Sequence, residues 1–197
     1  MAAKHQKVAI VTGGSSGIGR CTAAALRNKG YTVYEFSRRD IPINGVKHLS
    51  VDVTDEKMVE SAIHQIMKNE SKIDAVINCA GFGISGAVEF TTTEQAKAQF
   101  DVNFFGTVNV NKAVLPIMRH QSSGHIINIS SVAATAHIPF QTFYSASKAA
   151  ISSYSYALAI DFRGHCVLRV VVHMGVGWTG FRHSRQKNTL GHKAQRR

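Results

Sequence analysis

Cysteine and proline are both scarce, at three residues each, and tryptophan occurs once. Cys21, Cys79 and Cys166 stand far apart and in no metal-ligand spacing. That pattern excludes a disulfide scaffold and a zinc-finger site, and it predicts free thiols in a reducing compartment. With so few prolines and no low-complexity tract before the C-terminus, regular structure can run through most of the chain. No apolar run reaches the ~18 residues that a membrane helix needs. The start, MAAKHQ, is short and polar and meets a strand-like run at once, unlike a secretion signal. These absences together predict a cytoplasmic protein. What is present, 44% hydrophobic and 18% charged residues over 197 positions, suits one globular domain with a sizeable core.

Acidic residues are also few: 12 against 23 lysines and arginines, for a net charge of +11. The excess is unevenly placed. Residues 1–179 carry +5, and residues 180–197 carry +6 with no acid at all. A basic tail can bind nucleic acid or an anionic membrane. No nucleic-acid motif accompanies this one, so it reads as a solvated, disordered end. The expected organisation is a catalytic domain over 1–179 and a basic tail over 180–197.

Strand-like and helix-like stretches alternate. KVAIVTG (7–13), YTVYEFS (31–37), VKHLSVDV (46–53), KIDAVINCAG (72–81), GHIINISS (124–131) and CVLRVVVH (166–173) are short, β-rich apolar runs. Residues 17–29, 55–70, 92–120 and 142–163 have helical spacing, with a break expected near Asp101–Val102 and a kink at Pro116. Gly30 stands where the first helix should stop, and Thr54 where the second should be capped. Alternation of this kind predicts an α/β fold: one Rossmann-like, doubly wound parallel sheet of six strands covered on both faces. Ligands in such sheets bind beyond the carboxyl ends of the strands, where the strand order switches.

The residues that follow the strands carry chemistry. Between the first strand and first helix lies Thr12-Gly13-Gly14-Ser15-Ser16-Gly17-Ile18-Gly19. Glycines let a backbone turn tightly and approach a pyrophosphate, and the helix N-terminus then offers free N–H groups to the anion. Gly13, Ser15, Ser16, Gly17, Ile18 and Gly19 are therefore candidate cofactor residues. The second strand ends in Phe36-Ser37-Arg38-Arg39. An acid at that place would bind a free ribose 2′-hydroxyl, whereas an arginine forks onto a 2′-phosphate. Ser37 with Arg38 and Arg39 predicts NADP(H) in preference to NAD(H), with Arg38 the stronger candidate. TFYSASKAAI (142–151) places Tyr144 and Lys148 on one helix face.

In their order along the chain these motifs resemble the short-chain dehydrogenase/reductase family, over residues 7–179. TGGSSGIG (12–19) is similar to the family's glycine motif, and Asp52-Val53 to the pair that meets the adenine. NCAG (78–81) resembles the family's NNAG, with Cys79 for the second asparagine, and it adds Asn78, Ala80 and Gly81 to the cofactor candidates. Asn103 in DVNFFG, Ser131 thirteen residues before Tyr144, and YSASK (144–148) complete the set. NCAGFGISGAVEF and FDVNFFGTVNV look most similar to steroid- and retinol-dehydrogenase-like members.

The resemblance implies a catalytic quartet of Asn103, Ser131, Tyr144 and Lys148. Tyr144 would exchange a proton with the substrate oxygen, Ser131 would hold that oxygen, and Lys148 would favour the phenolate and bind the nicotinamide ribose. Asn103 would hold a water that links Lys148 to solvent. Ser130, on the opposite side of the strand, is expected to pack. Asn128, in an Asn-Ile-Ser sequon, is expected to be unmodified because it lies in a core strand. Past the sixth strand the likeness weakens. Met174 stands for a proline, while Val176 and Thr179 still align with residues that touch the nicotinamide amide. The family continues into a substrate-covering helical segment and a seventh strand, where this sequence has the polar tail. Three functional expectations result. One is an NADP(H)-dependent oxidoreductase interconverting a hydrophobic secondary alcohol and a ketone, or an alcohol and an aldehyde, as a homodimer or homotetramer. The alternative is a shortened relative that is weakly active or inactive and at most binds cofactor or a partner subunit. A third, minor reading gives the basic tail the function, through nucleic acid.

Overall fold

The computed structural model describes residues 6–136, 138–161 and 167–174. Six parallel strands form one sheet: β1 (Val8–Thr12), β2 (Thr32–Ser37), β3 (Lys47–Ser50), β4 (Ala75–Asn78), β5 (Gly124–Ser131) and β6 (Val167–Met174). Their order across the sheet is β3-β2-β1-β4-β5-β6, so the direction of winding reverses between β1 and β4. The register there pairs Ala9 with Ala75 and Thr12 with Asn78. The carboxyl ends of β1 and β4 therefore finish side by side, which is where a crevice opens in this class of sheet.

Because side chains alternate across a strand, the buried runs feed two cores. Ile10, Tyr34, Phe36, Val76 and Ile126 point to one face and meet Ile63, Ile66, Val110, Val114, Met118 and Leu158 from three helices: α2 (Glu56–Glu70), α4 (Gly106–Gln121) and α5 (Thr142–Asp161). Ala9, Val11, Val33, Ala75 and Ile77 point to the other face, against Ala23 of α1 (Gly17–Asn28). Beside α1 this second face holds an apolar groove of about 600 Å³, lined by Ile18, Leu26, Ile77, Ile127 and Ile129 among others.

The expected elements are present, with shifts that local chemistry explains. β3 and β4 are shorter than the apolar runs that announced them. Asp55 rather than Thr54 caps α2 by accepting from the Met58 amide, because Thr54 donates its amide and hydroxyl to Asp52 Oδ1 at 3.0 and 2.8 Å. Gly30 does follow α1, at φ +84. The stretch 92–120 is α3 (Thr93–Phe100) joined to α4 through one π-helical turn, Asp101–Phe105. Pro116 lies inside α4, which continues to Gln121.

Candidate active site

Thr12 joins the two strand ends at the crevice. Its Oγ1 accepts from the amides of Cys79 and Ala80, both at 3.0 Å. The glycine loop then passes so close to β4 that side chains do not fit. A Cβ on Gly13, which sits at φ +69, would lie 2.9 Å from Ala80 Cα, and a Cβ on Gly19 would lie 2.4 Å from the Gly13 carbonyl oxygen. The loop delivers the chain to the N-terminus of α1. There Ser16 makes no side-chain cap and the first turn holds no acid, so its donors and positive dipole end are left for an anion. These residues fit the pyrophosphate of a dinucleotide. Ile18 faces the groove beside α1.

Beyond β2 the two arginines differ. Arg39 Nη2 donates to Ser15 Oγ at 3.2 Å, bringing its guanidinium onto the glycine loop. Arg38, the stronger candidate from sequence, is 75% exposed and stands 3.9 Å from Asp52, a contact worth little in solvent. Burial pushes the Asp52 carboxyl up, but the Thr54 hydrogen bonds and nearby Arg38 outweigh it and hold the group below its ordinary value. Ser37 is buried, and its hydroxyl has one proton for two acceptors, Glu35 Oε1 at 3.1 Å and the Arg39 carbonyl at 2.9 Å. Val53 is also buried, packed where a Cβ on Gly106 would touch it. Asn78 is 3% exposed. Its amide donates to Asn111 and Asn128 at 2.8 and 2.9 Å, and Asn128 in turn donates to Ser155 at 2.8 Å. The part that Asn78 plays here is to lock β4, α4, β5 and α5 together.

The other four candidates converge at the ends of β4 and β5. Ser131, the last residue of β5, hydrogen-bonds the Tyr144 phenol and accepts from the Ala133 amide at 3.1 Å. Lys148 is buried; its ammonium donates to the Ile129 carbonyl at 2.9 Å and stands 5.9 Å from the centre of the Tyr144 ring. The π-helical turn inserts Asn103, whose Nδ2 donates to the Phe82 carbonyl at 2.9 Å and to Ser147 Oγ at 3.0 Å. Its Oδ1 accepts from the Phe82 amide at 2.9 Å. A Cβ on Gly81 would sit 3.0 Å from Asn103 Oδ1 and 3.5 Å from Lys148 Nζ, so this glycine leaves a cradle between them.

A profile of the short chain dehydrogenase family matches residues 7–189. The chain belongs to the short chain dehydrogenase family. It is 43% identical over 185 residues to a 3-ketodihydrosphingosine reductase of Bacteroides thetaiotaomicron, covering 93% of this chain and 69% of that protein. It is 34% identical over 193 residues to a probable short-chain type dehydrogenase/reductase, VdlC, of Helicobacter pylori, covering 93% of this chain and 71% of that one. Among solved structures, a short-chain dehydrogenase of Streptomyces avermitilis superposes with a TM-score of 0.82 at 32% identity, over 87% of this chain and 66% of that one. The protein ElxO with NADP bound gives 0.82 at 27% identity, over 86% and 73%. As a member of this family the chain is an oxidoreductase acting on CH–OH and carbonyl groups with a nicotinamide nucleotide.

Burial governs the protons of this candidate site. It raises the Tyr144 phenol above its ordinary value, and the Ser131 hydrogen bond offsets that only in part. It pulls the Lys148 ammonium down to about 8, against a small opposing effect of Cys79. The Cys79 thiol, itself pushed up by burial to about 12, is neutral at ordinary pH and gives the lysine no counter-charge. At Tyr144 burial therefore works against the lowering that the sequence leads one to expect from Lys148.

Sequence reading missed several participants. Ser147 and Gln99 hold the Asn103–Phe82 arrangement, Gln99 donating to the Phe82 carbonyl at 3.1 Å. Glu35 and His48 meet beneath the glycine loop. None of them had a legible signal in the sequence: Glu35 and His48, for example, meet only because the β2–β3 register sets them opposite each other. Val176, Thr179 and the basic tail lie outside the described residues. Among those described, no helix is long and apolar enough to cross a membrane, and no cluster of metal-ligating side chains occurs.

Proposed function

We propose that this chain is an NADP(H)-dependent oxidoreductase interconverting a hydrophobic secondary alcohol and a ketone, or an alcohol and an aldehyde. The observation that carries the reading is the Tyr144–Ser131 hydrogen bond with Lys148 behind it. The bound nicotinamide supplies or accepts the hydride. Tyr144 holds the proton. Raised by burial, its phenol is a neutral acid at physiological pH, suited to protonating a carbonyl oxygen as the carbonyl carbon is reduced. Ser131 orients that oxygen through the hydroxyl it already shares with the phenol. Lys148 has a proton to give near neutrality because burial lowers its pKa to about 8. It also faces the Gly81 cradle together with Asn103, where the family's ribose contact falls.

Gly13, Ser15, Ser16, Gly17 and Gly19 hold the pyrophosphate in this account, Asp52 meets the adenine, and Arg38 and Arg39 take the 2′-phosphate. Arg39 on Ser15 supports the phosphorylated cofactor. That the Bacteroides relative is named a reductase of a keto compound supports a ketone substrate. Exposed Phe105 at the start of α4, with Tyr156 and Ile160 on α5, supports a homodimer across those helices. A second reading, cofactor binding with little turnover, is favoured by one fact: the chain spans about two thirds of the length of the relatives it matches.

The test is NADPH oxidation against a panel of apolar ketones. Tyr144→Phe should lower turnover by about 10²–10⁴-fold, the range general acid–base catalysis commands, while NADPH affinity stays within about twofold. Turnover that survives the substitution would refute the mechanism. Undetectable turnover in the parent chain, with NADPH still bound, would favour the second reading.

A further inference from the structure

A buried carboxylate lies directly under the glycine loop. Glu35 is 2% exposed in the middle of β2, on the face that α1 covers. Its Oε1 is 2.5 Å from His48 Nδ1, on the neighbouring edge strand β3, and 3.1 Å from Ser37 Oγ. Its Oε2 has no hydrogen-bond partner, and it lies 2.7 Å from where a Cβ on Gly14 would be. Burying a carboxylate with one oxygen unpaired is costly. The arrangement also leads to the place where the 2′-phosphate is to be read. Ser37 contacts the Arg39 carbonyl, and the Arg39 guanidinium rests on Ser15, next to Gly14 in the same loop.

Among the described residues, the charges that face this pair are few. β3 contributes His48 itself. The loop after β2 contributes Arg39, with the exposed Arg38 beyond it. β1 contributes Val11, opposite Glu35 in the register. The cations of α1 are occupied elsewhere, Arg20 on the Ile41 and Pro42 carbonyls and Arg27 on Asn28. Lys47 and Glu70 bind Tyr34, whose side chain lies on the opposite face of the sheet. His48 is therefore the titratable group in contact with the Glu35 carboxylate.

Resting on the NADP(H) reading above, we propose that Glu35 and His48 form a proton-dependent brace beneath the loop, which sets how strongly the chain prefers the 2′-phosphorylated cofactor. With His48 neutral, the pair carries one negative charge behind the loop, and that charge opposes the 2′-phosphate. With His48 protonated, the pair is neutral and the opposition is removed. NADPH binding gains on protonation, while NADH, which has no charge at that position, gains less. By linkage the converse holds: bound NADPH holds the proton on His48 more firmly than bound NADH does. Glu35 and His48 are positioning residues here, since the loop stands between them and the cofactor.

The experiment measures Kd for NADPH and NADH by fluorescence titration at pH 6 and pH 8, in the unaltered chain, in Glu35→Gln and in His48→Gln. The 2′-phosphate titrates near this range itself, but it does so equally in all three proteins, so only the difference between them reports the brace. Charge interactions through partly solvated protein suggest an effect of about fivefold. The NADPH-over-NADH preference of the unaltered chain should fall from pH 6 to pH 8 by about fivefold more than in His48→Gln, which has no imidazole to titrate, and at pH 8 Glu35→Gln, whose pair is then neutral, should prefer NADPH about fivefold more than the unaltered chain does. The His48 imidazole, assigned in NMR spectra by its loss in His48→Gln, should titrate about 0.7 pH unit higher with saturating NADPH than with NADH, the same fivefold expressed as a midpoint. Identical pH dependence in all three proteins, or variants that weaken both cofactors equally, would reduce the pair to a structural contact and overturn the proposal. His48→Gln, on a half-buried edge position, keeps the test available if Glu35→Gln does not fold. Absence of binding by either cofactor would overturn the functional reading and this inference together. Binding of both with an invariant preference would overturn the inference alone.

Discussion

Lys148 carries a charge in a place that disfavours one. Burial holds its folded pKa at about 8 against an ordinary 10.5. Below pH 8 both the folded and the unfolded chain keep the proton, so the folded chain bears the whole cost of burying it. Between 8 and 10.5 the folded chain loses its proton first and that cost fades. Lys148→Met should therefore raise stability at pH 7, by ~2 kcal/mol after allowing for the lost bond to Ile129. The gain should shrink as pH rises through this window while activity is abolished. Urea melts at pH 7 and pH 10 measure it, and a variant no more stable than its parent at pH 7 would show that the lysine is not strained. Such a trade of stability for function is common at active sites. At this scale the sequence was informative where the signal is local. YSASK lies on one helix face, and Ser131 precedes it by a fixed interval. Glu35 was silent because its meaning depends on a residue thirteen positions away, brought opposite it by strand register. Asn128 read as an idle sequon, yet it accepts from Asn78 and donates to Ser155 in a buried polar network that joins four elements.

The elements place the site more than they form it. β1 and β4 end together, Thr12 ties them, and α1 begins where its uncapped N-terminus can face an anion. The glycines are the condition for that meeting. Gly19→Ala would put a methyl group 2.4 Å from a backbone oxygen, which can be relieved only by moving the loop. The variant should lose ~1–3 kcal/mol of stability, the usual cost of overpacking, and NADPH affinity should drop by at least about tenfold. Calorimetry reads both, and unchanged affinity would mean that the loop does not hold the cofactor. Helical periodicity anticipated a break near Asp101 but not its form. The π-helical turn is specified by what Asn103 must reach, the Phe82 backbone and Ser147, and those partners arrive from 21 and 44 residues away. Cap positions shifted for a comparable reason, since Asp52 takes Thr54 out of the capping role.

Over the whole molecule, alternation of strand and helix was enough to anticipate the sheet, its parallel sense and its six strands, because continuous apolar runs can be buried only between two layers. The same pattern could not show how unequal those layers are. Among the described residues, three helices cover one face of the sheet, while α1 covers part of the other beside the groove along Ile77, Ile127 and Ile129. Whether the sheet is stable enough to hold its cofactor is a property of the whole chain, and the central claim depends on it. A thermal melt of the purified protein, alone, with NADPH and with NADH, tests it most directly. A ligand that binds only the folded state adds ~2.7 kcal/mol at a concentration one hundred times its Kd. The account predicts one cooperative transition, raised by both cofactors and raised further by NADPH. A chain with no transition, or with one that neither cofactor moves, would contradict it.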